Sequence, residues 1–326
     1  MNRRKTLAAL VVLAAAGRAR AQVPARVPRI GFLSLNRAAD TSGRDGGFSL
    51  GLRELGYVEG RNVVIEHRDA EGRVDRLARL AAELVALKVD VIVAPSTPAA
   101  QAAKQASATI SIVFAGAAEP VSDGLVGSLA RPGGNVTGLS NASADLVGKR
   151  VELLKQVLPK LARVAVLWHP LQGRTDEDML KAADVAARSL GMQLQPVEAR
   201  GAPDLERAFA EMKRAGADSL MVLPIATFFS ERKRVIELAA AQRLPAVYTS
   251  RLFVDDGGFM AYGANLSDLL RRAAGYADRI LKGARPSDLP VEQATKFELV
   301  IHRGAAKMLG VAIPRSVLLS ADAVIG

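Results

Sequence analysis

The sequence predicts an α/β protein with two doubly wound parallel-sheet lobes. Short apolar runs rich in β-branched residues alternate with amphipathic helical stretches from Arg29 onward, which is typical of βαβ units. The alternation starts again at Leu146, and about 300 residues exceed what one hydrophobic core normally serves. After the second run of strands the chain continues for roughly fifty residues, enough to cross back and complete both lobes.

The first half contains five predicted strands and four predicted helices. Apolar runs predict strands at 30–35, 63–67, 91–94, 110–115 and 135–140. Apolar residues at helical spacing predict helices around 48–55, 77–87 and 99–106, with a short helix at 124–130. Because the strands are linked by helical crossovers, we expect them to run parallel.

The second half repeats this architecture without repeating the sequence. Strands are predicted at 164–168, 193–198, 219–223, 246–249, 258–262 and 297–301. Helices are predicted at 146–158, 179–190, 205–215, 228–243, 269–281 and 304–309.

Residues 1–21 have the pattern of a cleaved signal peptide. A basic segment, Arg3-Arg4-Lys5, precedes an apolar run too short to span a bilayer, and Ala19-Arg20-Ala21 fits the cleavage pattern. Paired arginines leave both the twin-arginine and the general export route open. We therefore expect an exported protein whose mature chain begins near Gln22 and is soluble.

Composition and motifs exclude several functional classes. Removing the five basic residues of the signal peptide lowers the formal net charge from +11 to +6, and the other basic residues are interspersed with acids, so nucleic-acid binding is not expected. The chain has no cysteine, and its three histidines lack metal-ligand spacing. Phosphate-binding and nucleophile-elbow motifs are absent as well. We expect no cofactor, no metal and no catalytic residues.

The stretch from Asp90 to Ala100 predicts a strand, a tight turn and a helix. Either Ser96 or Thr97 suits the N-cap, and Pro98 suits the first helical turn. Hydroxyls and free amides at such a turn lie beyond the carboxyl end of a parallel strand, where open α/β sheets bind ligands. An ordinary capped helix without a ligand would have the same residues.

Five segments have a distinctive sequence: 52–62 (LRELGYVEGRN), 119–126 (EPVSDGLV), 128–140 (SLARPGGNVTGLS), 149–154 (KRVELL) and 289–301 (LPVEQATKFELVI). They resemble the exported substrate-binding proteins of ABC transporters, in the type I periplasmic-binding-protein branch that includes tryptophan- and tyrosine-binding members. The resemblance extends over essentially the whole mature chain. The sequence departs from this pattern at Glu119 and Ile225, where relatives often carry aspartate. If the second aspartate contacts the ligand in relatives, its absence here changes the specificity.

The resemblance implies two lobes that close over a ligand about a three-strand hinge. Crossovers are expected near 136–139, 262–266 and 286–291. The N-terminal lobe would then comprise 29–137 plus 264–288, and the C-terminal lobe 138–263 plus 289–326. The implied partners are a small-molecule ligand and an ABC permease of the inner membrane, and we accordingly expect a monomer in the periplasm.

Candidate ligand-binding residues follow from their positions at strand ends and at the crossovers. They are Ser34, Asn36, Ser96, Thr97, Ala115, Gly116, Thr137, His169, Ala226, Thr227, Ser250, Asp256 and Tyr262. Short hydroxyls and amides suit a carboxylate, whereas an acid and an aromatic ring suit an amine and a flat side chain. Three of them also suit purely structural roles: His169 as a strand-end residue, Asp256 as a turn former and Tyr262 as core.

These observations favour a solute-binding protein that captures a small polar organic ligand, such as an amino acid or an aromatic carboxylate. Two other functions stay open. A ligand-sensing module for a membrane receptor would have the same binding features, and a small-molecule enzyme would need a clustered acid and base that the sequence does not show.

Overall fold

The computed structural model describes residues 26–35, 42–170 and 175–326. Its first sheet has six parallel strands in the order β11-β5-β4-β3-β1-β2. These are β1 (Arg29–Ser34), β2 (Val64–Asp69), β3 (Val91–Ala94), β4 (Ser111–Ala117), β5 (Val136–Ser140) and β11 (Glu292–Gln293). The strand order reverses between β1 and β3, which is where doubly wound sheets bind ligands.

Helices cover both faces of the first sheet. They are α1 (Ser42–Glu54), α2 (Leu77–Ala86), α3 (Thr97–Ala106) and α10 (Leu266–Leu281). Helix α10 packs on α1 so closely that a β-carbon added at Gly51 would lie 2.4 Å from the carbonyl oxygen of Arg271. A glycine is therefore required at this helix crossing.

The second sheet has seven strands in the order β13-β12-β10-β9-β8-β6-β7. Its strands are β6 (Arg163–Trp168), β7 (Gln193–Glu198), β8 (Ser219–Val222), β9 (Ala246–Tyr248), β10 (Met260–Ala264), β12 (Phe297–His302) and β13 (Ala323–Ile325). Every pairing is parallel except that of β10 with β12. Strand β10 leaves this lobe at the end where β12 enters it, so the two must run in opposite directions.

Helices of the second lobe pack around this sheet. They are α4 (Val147–Val157), α5 (Thr175–Ser189), α6 (Ala202–Arg214), α7 (Ala226–Ser230), α8 (Arg232–Ala241), α9 (Arg251–Asp255), α11 (Arg303–Leu309) and α12 (Arg315–Ser320). No helix in the described ranges is long and apolar enough to cross a bilayer.

Three segments connect the lobes. Residues 141–146 join β5 to α4, Asn265 joins β10 to α10, and residues 294–296 join β11 to β12. The second of these lies where the sequence predicted a crossover. The first and third lie a few residues further along the chain, because β5 and β11 both pair within the first sheet.

The α/β class with two lobes built on parallel sheets is confirmed. The predicted helix at 124–130 is wrong, since this segment consists of bends and irregular chain after a turn at Gly124. The single predicted helix at 228–243 is divided into α7 and α8 at Glu231. Short elements without a long apolar run, such as α9, β11 and β13, were not predicted.

Candidate ligand-binding site

A cavity of about 960 Å³ lies between the two lobes. Leu35, Ser96 and Gly116, at or just beyond the carboxyl ends of β1, β3 and β4, line it from the first lobe. His169, Leu223 and Ser250, beyond β6, β8 and β9, line it from the second lobe. The carboxyl edges of the two sheets thus face one another across a space of the size that small-molecule sites have.

The start of helix α3 forms the first-lobe wall. The Ser96 side chain accepts a hydrogen bond from the Ala99 amide at 3.4 Å, which makes Ser96 the N-cap, and Pro98 occupies the first turn. The Thr97 hydroxyl donates to the Asp123 carboxylate at 3.3 Å. Helix α3 therefore directs its positive end at the cavity and holds the loop that follows β4 beside it.

Side chains of the same helix donate further hydrogen bonds to carbonyls of that loop. Gln101 Nε2 donates to the carbonyl of Asp123 at 3.2 Å, and Lys104 Nζ donates to the carbonyl of Gly124 at 2.6 Å. These contacts place the Asp123 carboxylate at the cavity wall.

An irregular turn brings the first interlobe crossing to the cavity. The β4–β5 register shifts between Ala115 and Ala117, and Gly116 at the shift has a φ of +93°. Asn141 Nδ2 donates to the Gly116 carbonyl at 2.9 Å, and the Asn141 side-chain oxygen accepts from the Ser143 amide at 3.0 Å. Bulges of this kind re-aim the chain near functional sites.

Aromatic side chains form part of the second-lobe wall. Phe229 and Phe253 line the cavity and meet edge to face, with ring centroids 5.9 Å apart. Tyr248 stacks behind Phe253 at 4.6 Å. The wall therefore offers apolar surface suited to a flat ligand group.

The ion pair of Arg232 and Asp256 supports this wall from outside. Arg232 Nε donates to the Asp256 carboxylate at 2.6 Å, and its guanidinium lies 5.3 Å from the Phe229 ring centroid. Asp256 consequently faces Arg232, and it is not among the residues that line the cavity.

His169 presents an imidazole to the cavity at the end of β6. Burial, followed by the nearby Arg200 charge, lowers the pKa of His169 below its ordinary value. Its Nδ1 atom is buried and has no hydrogen-bond partner among the described residues. A neutral imidazole with a buried, unsatisfied nitrogen can accept or donate one hydrogen bond to a ligand.

Acidic groups occur on both sides of the cavity. Asp176, in the first turn of α5, is buried and lines the second-lobe wall. Near Asp123, burial and then the charges of Asp145 and Asp123 raise the pKa of Glu119. The site therefore combines carboxylates with apolar rings, hydroxyls and a helix N-terminus.

Six of the predicted site residues line this cavity. They are Ser96, Thr97, Gly116, His169, Thr227 and Ser250. Asn36 lies outside the described residues. Ala226 is the first residue of α7.

The other five predicted residues lie outside the lining. Ser34 and Ala115 are buried, each one residue before a position that does line the cavity. Thr137 is fully buried and donates to the Leu289 carbonyl at 2.6 Å. Tyr262 packs against the core, and Asp256 pairs with Arg232.

Several lining residues were not among the predicted ones. They include Gln101, Asn141, Ser143, Asp176, Arg200, Phe229 and Phe253. Most of them come from helices or from the crossing instead of the first residue after a strand. Asp176 had a sequence signal, an acidic cluster that opens a helix, whereas nothing local in the sequence distinguishes Phe229 or Phe253 from core residues.

The sequence matches the profile of a family described as ABC transporter substrate binding protein over residues 39–325. The chain belongs to this family. The resemblance noted in the sequence is thereby confirmed, and the family is one of substrate-binding proteins and not of enzymes. Such proteins bind small molecules and work with ABC permeases, in general outside the cytoplasm.

Similar proteins include two whose names state a ligand. A tyrosine-binding protein of Clostridioides difficile (strain R20291) is 28% identical over 264 residues, covering 81% of this chain and 75% of the relative. The structure of an ABC domain from Streptococcus pneumonia in complex with L-Trp is similar with a TM-score of 0.84 and 26% identity, covering 91% of this chain and 99% of that one.

A third similar structure is a ligand-free, open form. It is a substrate-binding protein with adhesive properties from Clostridium difficile, with a TM-score of 0.68 and 26% identity, covering 92% of this substrate-binding protein and 99% of the other chain.

Proposed function

We propose that this substrate-binding protein is exported to the periplasm, captures an amino acid or an aromatic carboxylate between its lobes by hinge closure, and delivers it to an ABC permease. The cavity between the carboxyl edges of the two sheets carries this proposal, because both lobes contribute polar and apolar lining. The signal-peptide pattern of residues 1–21 supports export.

The second-lobe wall supports a ligand with an aromatic ring. Phe229 and Phe253 provide faces and edges against which a flat group can pack, and Met179 and Leu223 add apolar surface. Relatives named for tyrosine and bound to L-Trp belong to the same family. An aromatic amino acid is therefore the first ligand to test.

Charged groups support an amino acid over a neutral ligand. Asp123 from the first lobe and Asp176 from the second place carboxylates at the cavity, where they suit a ligand ammonium group. Ile225, which also lines the cavity, is apolar in this chain. The amides at the start of α3 offer donors to a ligand carboxylate.

The similarity values support a closed arrangement of the lobes. The L-Trp complex and the ligand-free open structure have the same identity to this chain and nearly the same coverage, yet their TM-scores are 0.84 and 0.68. We attribute this gap to a difference in lobe orientation, which is the reason that it supports closure. Ligand drives closure only through contacts that form in the closed state, and contacts from both lobes meet this requirement.

A thermal-shift and calorimetry panel on residues 22–326 tests the proposal. The panel comprises L-tyrosine, L-tryptophan, L-phenylalanine, branched amino acids, benzoate, a hexose and a nucleoside. A ligand at a hundredfold excess over its Kd stabilises the protein by about 2.7 kcal/mol, which raises the midpoint by several degrees. We expect a saturable shift with amino acids or aromatic carboxylates alone. The absence of any shift, before and after unfolding and refolding to remove bound ligand, contradicts the proposal.

A further inference from the structure

Arg150, in the first turns of α4, is buried and has no carboxylate partner among the described residues. The residue is 1% exposed. Its Nε donates to the Tyr262 carbonyl at 2.8 Å, Nη1 to the Ser143 carbonyl at 3.2 Å, and Nη2 to the Ser143 hydroxyl at 3.1 Å. All three acceptors are neutral, and they belong to the first crossing and to the strand that leads into the second.

A second buried arginine shows the usual arrangement. Arg232, whose side chain is 7% exposed, pairs with Asp256 at 2.6 Å. Buried charges are normally paired in this way, because an isolated ion in a low-dielectric interior is costly. Burial lowers the pKa of Arg150 to about 9, so its guanidinium is still charged at neutral pH. The buried guanidinium of Arg150 is therefore positively charged and has no anionic partner among the described residues.

Ser143 lies between this charge and the cavity. It is 3% exposed and lines the cavity wall, where its amide is fixed by the side chain of Asn141. Because the Ser143 oxygen accepts from Arg150, its own proton is available to a further acceptor, and this hydroxyl makes no other hydrogen bond among the described residues. A hydroxyl polarised by a cation is a strong donor to an anionic oxygen.

The other described basic groups at the cavity have partners or are neutral. Lys104 donates to the carbonyls of Gly124 and Leu125. Arg200 is exposed and forms an ion pair with Glu198 at 2.7 Å. The lowered pKa of His169 keeps its ring uncharged at neutral pH. Among these described basic groups at or near the cavity, Arg150 is thus the one that is charged, buried and without a counter-ion.

We infer that Ser143 and Arg150 recognise the carboxylate of the ligand. The Ser143 hydroxyl donates to a carboxylate oxygen, and Arg150 acts through Ser143 as a positioning residue whose charge favours an anionic group. This inference rests on the proposed function and deepens it, since it assigns residues to the selection of acids over their neutral amides.

Paired acid and amide ligands test the inference by calorimetry on residues 22–326. The pairs are L-tryptophan with L-tryptophanamide, L-tyrosine with L-tyrosinamide, and benzoate with benzamide. The readout is the ratio of the amide Kd to the acid Kd. Since a hydrogen bond to a charged group changes affinity by about tenfold to a hundredfold, Ser143→Ala and Arg150→Met should each lower this ratio by at least about tenfold. Arg150→Lys, which keeps the charge, should recover part of it, and Ser128→Ala, outside the cavity, should leave it unchanged.

Each outcome decides between the two proposals. An unchanged ratio in Ser143→Ala, or an equal loss of affinity for acid and amide in the variants, overturns the role of Ser143 and Arg150 while leaving ligand capture intact. Wild-type protein that binds no amino acid and no aromatic carboxylate of the panel overturns the proposed function and this inference together. If Arg150→Met does not fold, Ser143→Ala alone decides.

Discussion

Replacing Asp256 by alanine should destabilise the fold while leaving the binding site functional. The carboxylate of Asp256 meets the guanidinium of Arg232 at 2.6 Å, and the two side chains are 25% and 7% exposed. Removal of one partner of a fully buried pair costs about 3–5 kcal/mol, whereas exposed pairs contribute about 0.2–1 kcal/mol. Because Asp256 is a quarter exposed and Arg232 can regain some water, we expect a loss of about 2 kcal/mol.

Asp255→Ala is the matched control for this variant. Asp255 pairs with Arg251 at 3.3 Å, but the two side chains are 38% and 45% exposed, so its loss should cost less than about 0.5 kcal/mol. Urea unfolding monitored by circular dichroism gives both free energies. Equal losses of unfolding free energy in the two variants would refute the claim that the Arg232–Asp256 pair contributes more than an exposed pair. A loss of ligand affinity beyond tenfold in Asp256→Ala would place Asp256 in the binding site after all.

Three further predictions concern the cavity, the helix packing and the pH response. Thr97→Trp should fill the cavity at the start of α3 and weaken binding of the ligand identified in the panel more than about a hundredfold, as measured by calorimetry. Thr109→Trp, on the exposed surface, should leave the affinity unchanged. Equal affinities of the two variants would show that α3 is not part of the site. Gly51→Ala should lower the free energy of unfolding by about 1–3 kcal/mol, because the added β-carbon would clash with a carbonyl of α10. Gly46→Ala, where the added β-carbon meets open space, should be neutral or stabilising. Equal midpoints of urea unfolding for the two variants would contradict the close packing of α1 on α10. The pKa of Glu119 is raised by burial and then by two aspartates, so its stabilising contribution is present below the unfolded pKa and is lost as pH rises through the folded pKa. The difference in stability between Glu119→Gln and wild type should therefore be more favourable to the variant at pH 7 than at pH 4. Thermal melts that give the same difference at both pH values would contradict this prediction.

Most of the architecture could be predicted from the sequence, because apolar runs and helical stripes reflect burial directly. Val91–Ala94, for example, is a fully buried strand, as its uninterrupted run of four apolar residues predicts. The helix that follows begins at Thr97 with Ser96 as its cap, which decides between the two residues that the sequence left open. Elements formed by tertiary contacts were missed: β11 has two residues and exists because it pairs with β5.

The candidate site could be predicted only in part, because strand ends identify where a ligand binds but not which way each side chain points. A register shift that the sequence does not indicate brings Gly116 to the cavity wall, while Ala115 beside it is buried. Asp256 follows a strand and a short helix as a ligand-binding acid would, but its partner Arg232 is 24 positions away, and a contact at that separation leaves no local pattern. Ser143 and Arg150 were missed because they lie in the first crossing and in the helix that follows it, away from the strand ends on which the prediction was based.

Ligand-induced closure can be measured directly by spin-label distances, and the absence of native cysteine makes specific labelling simple. Val121→Cys in the first lobe and Arg207→Cys in the second report the distance between lobes. Val121→Cys with Lys88→Cys, both in the first lobe, is the control pair. On addition of the ligand that gives the thermal shift, the interlobe distribution should shorten and narrow while the control distribution stays the same. A saturating ligand that leaves the interlobe distribution unchanged would contradict capture by lobe closure.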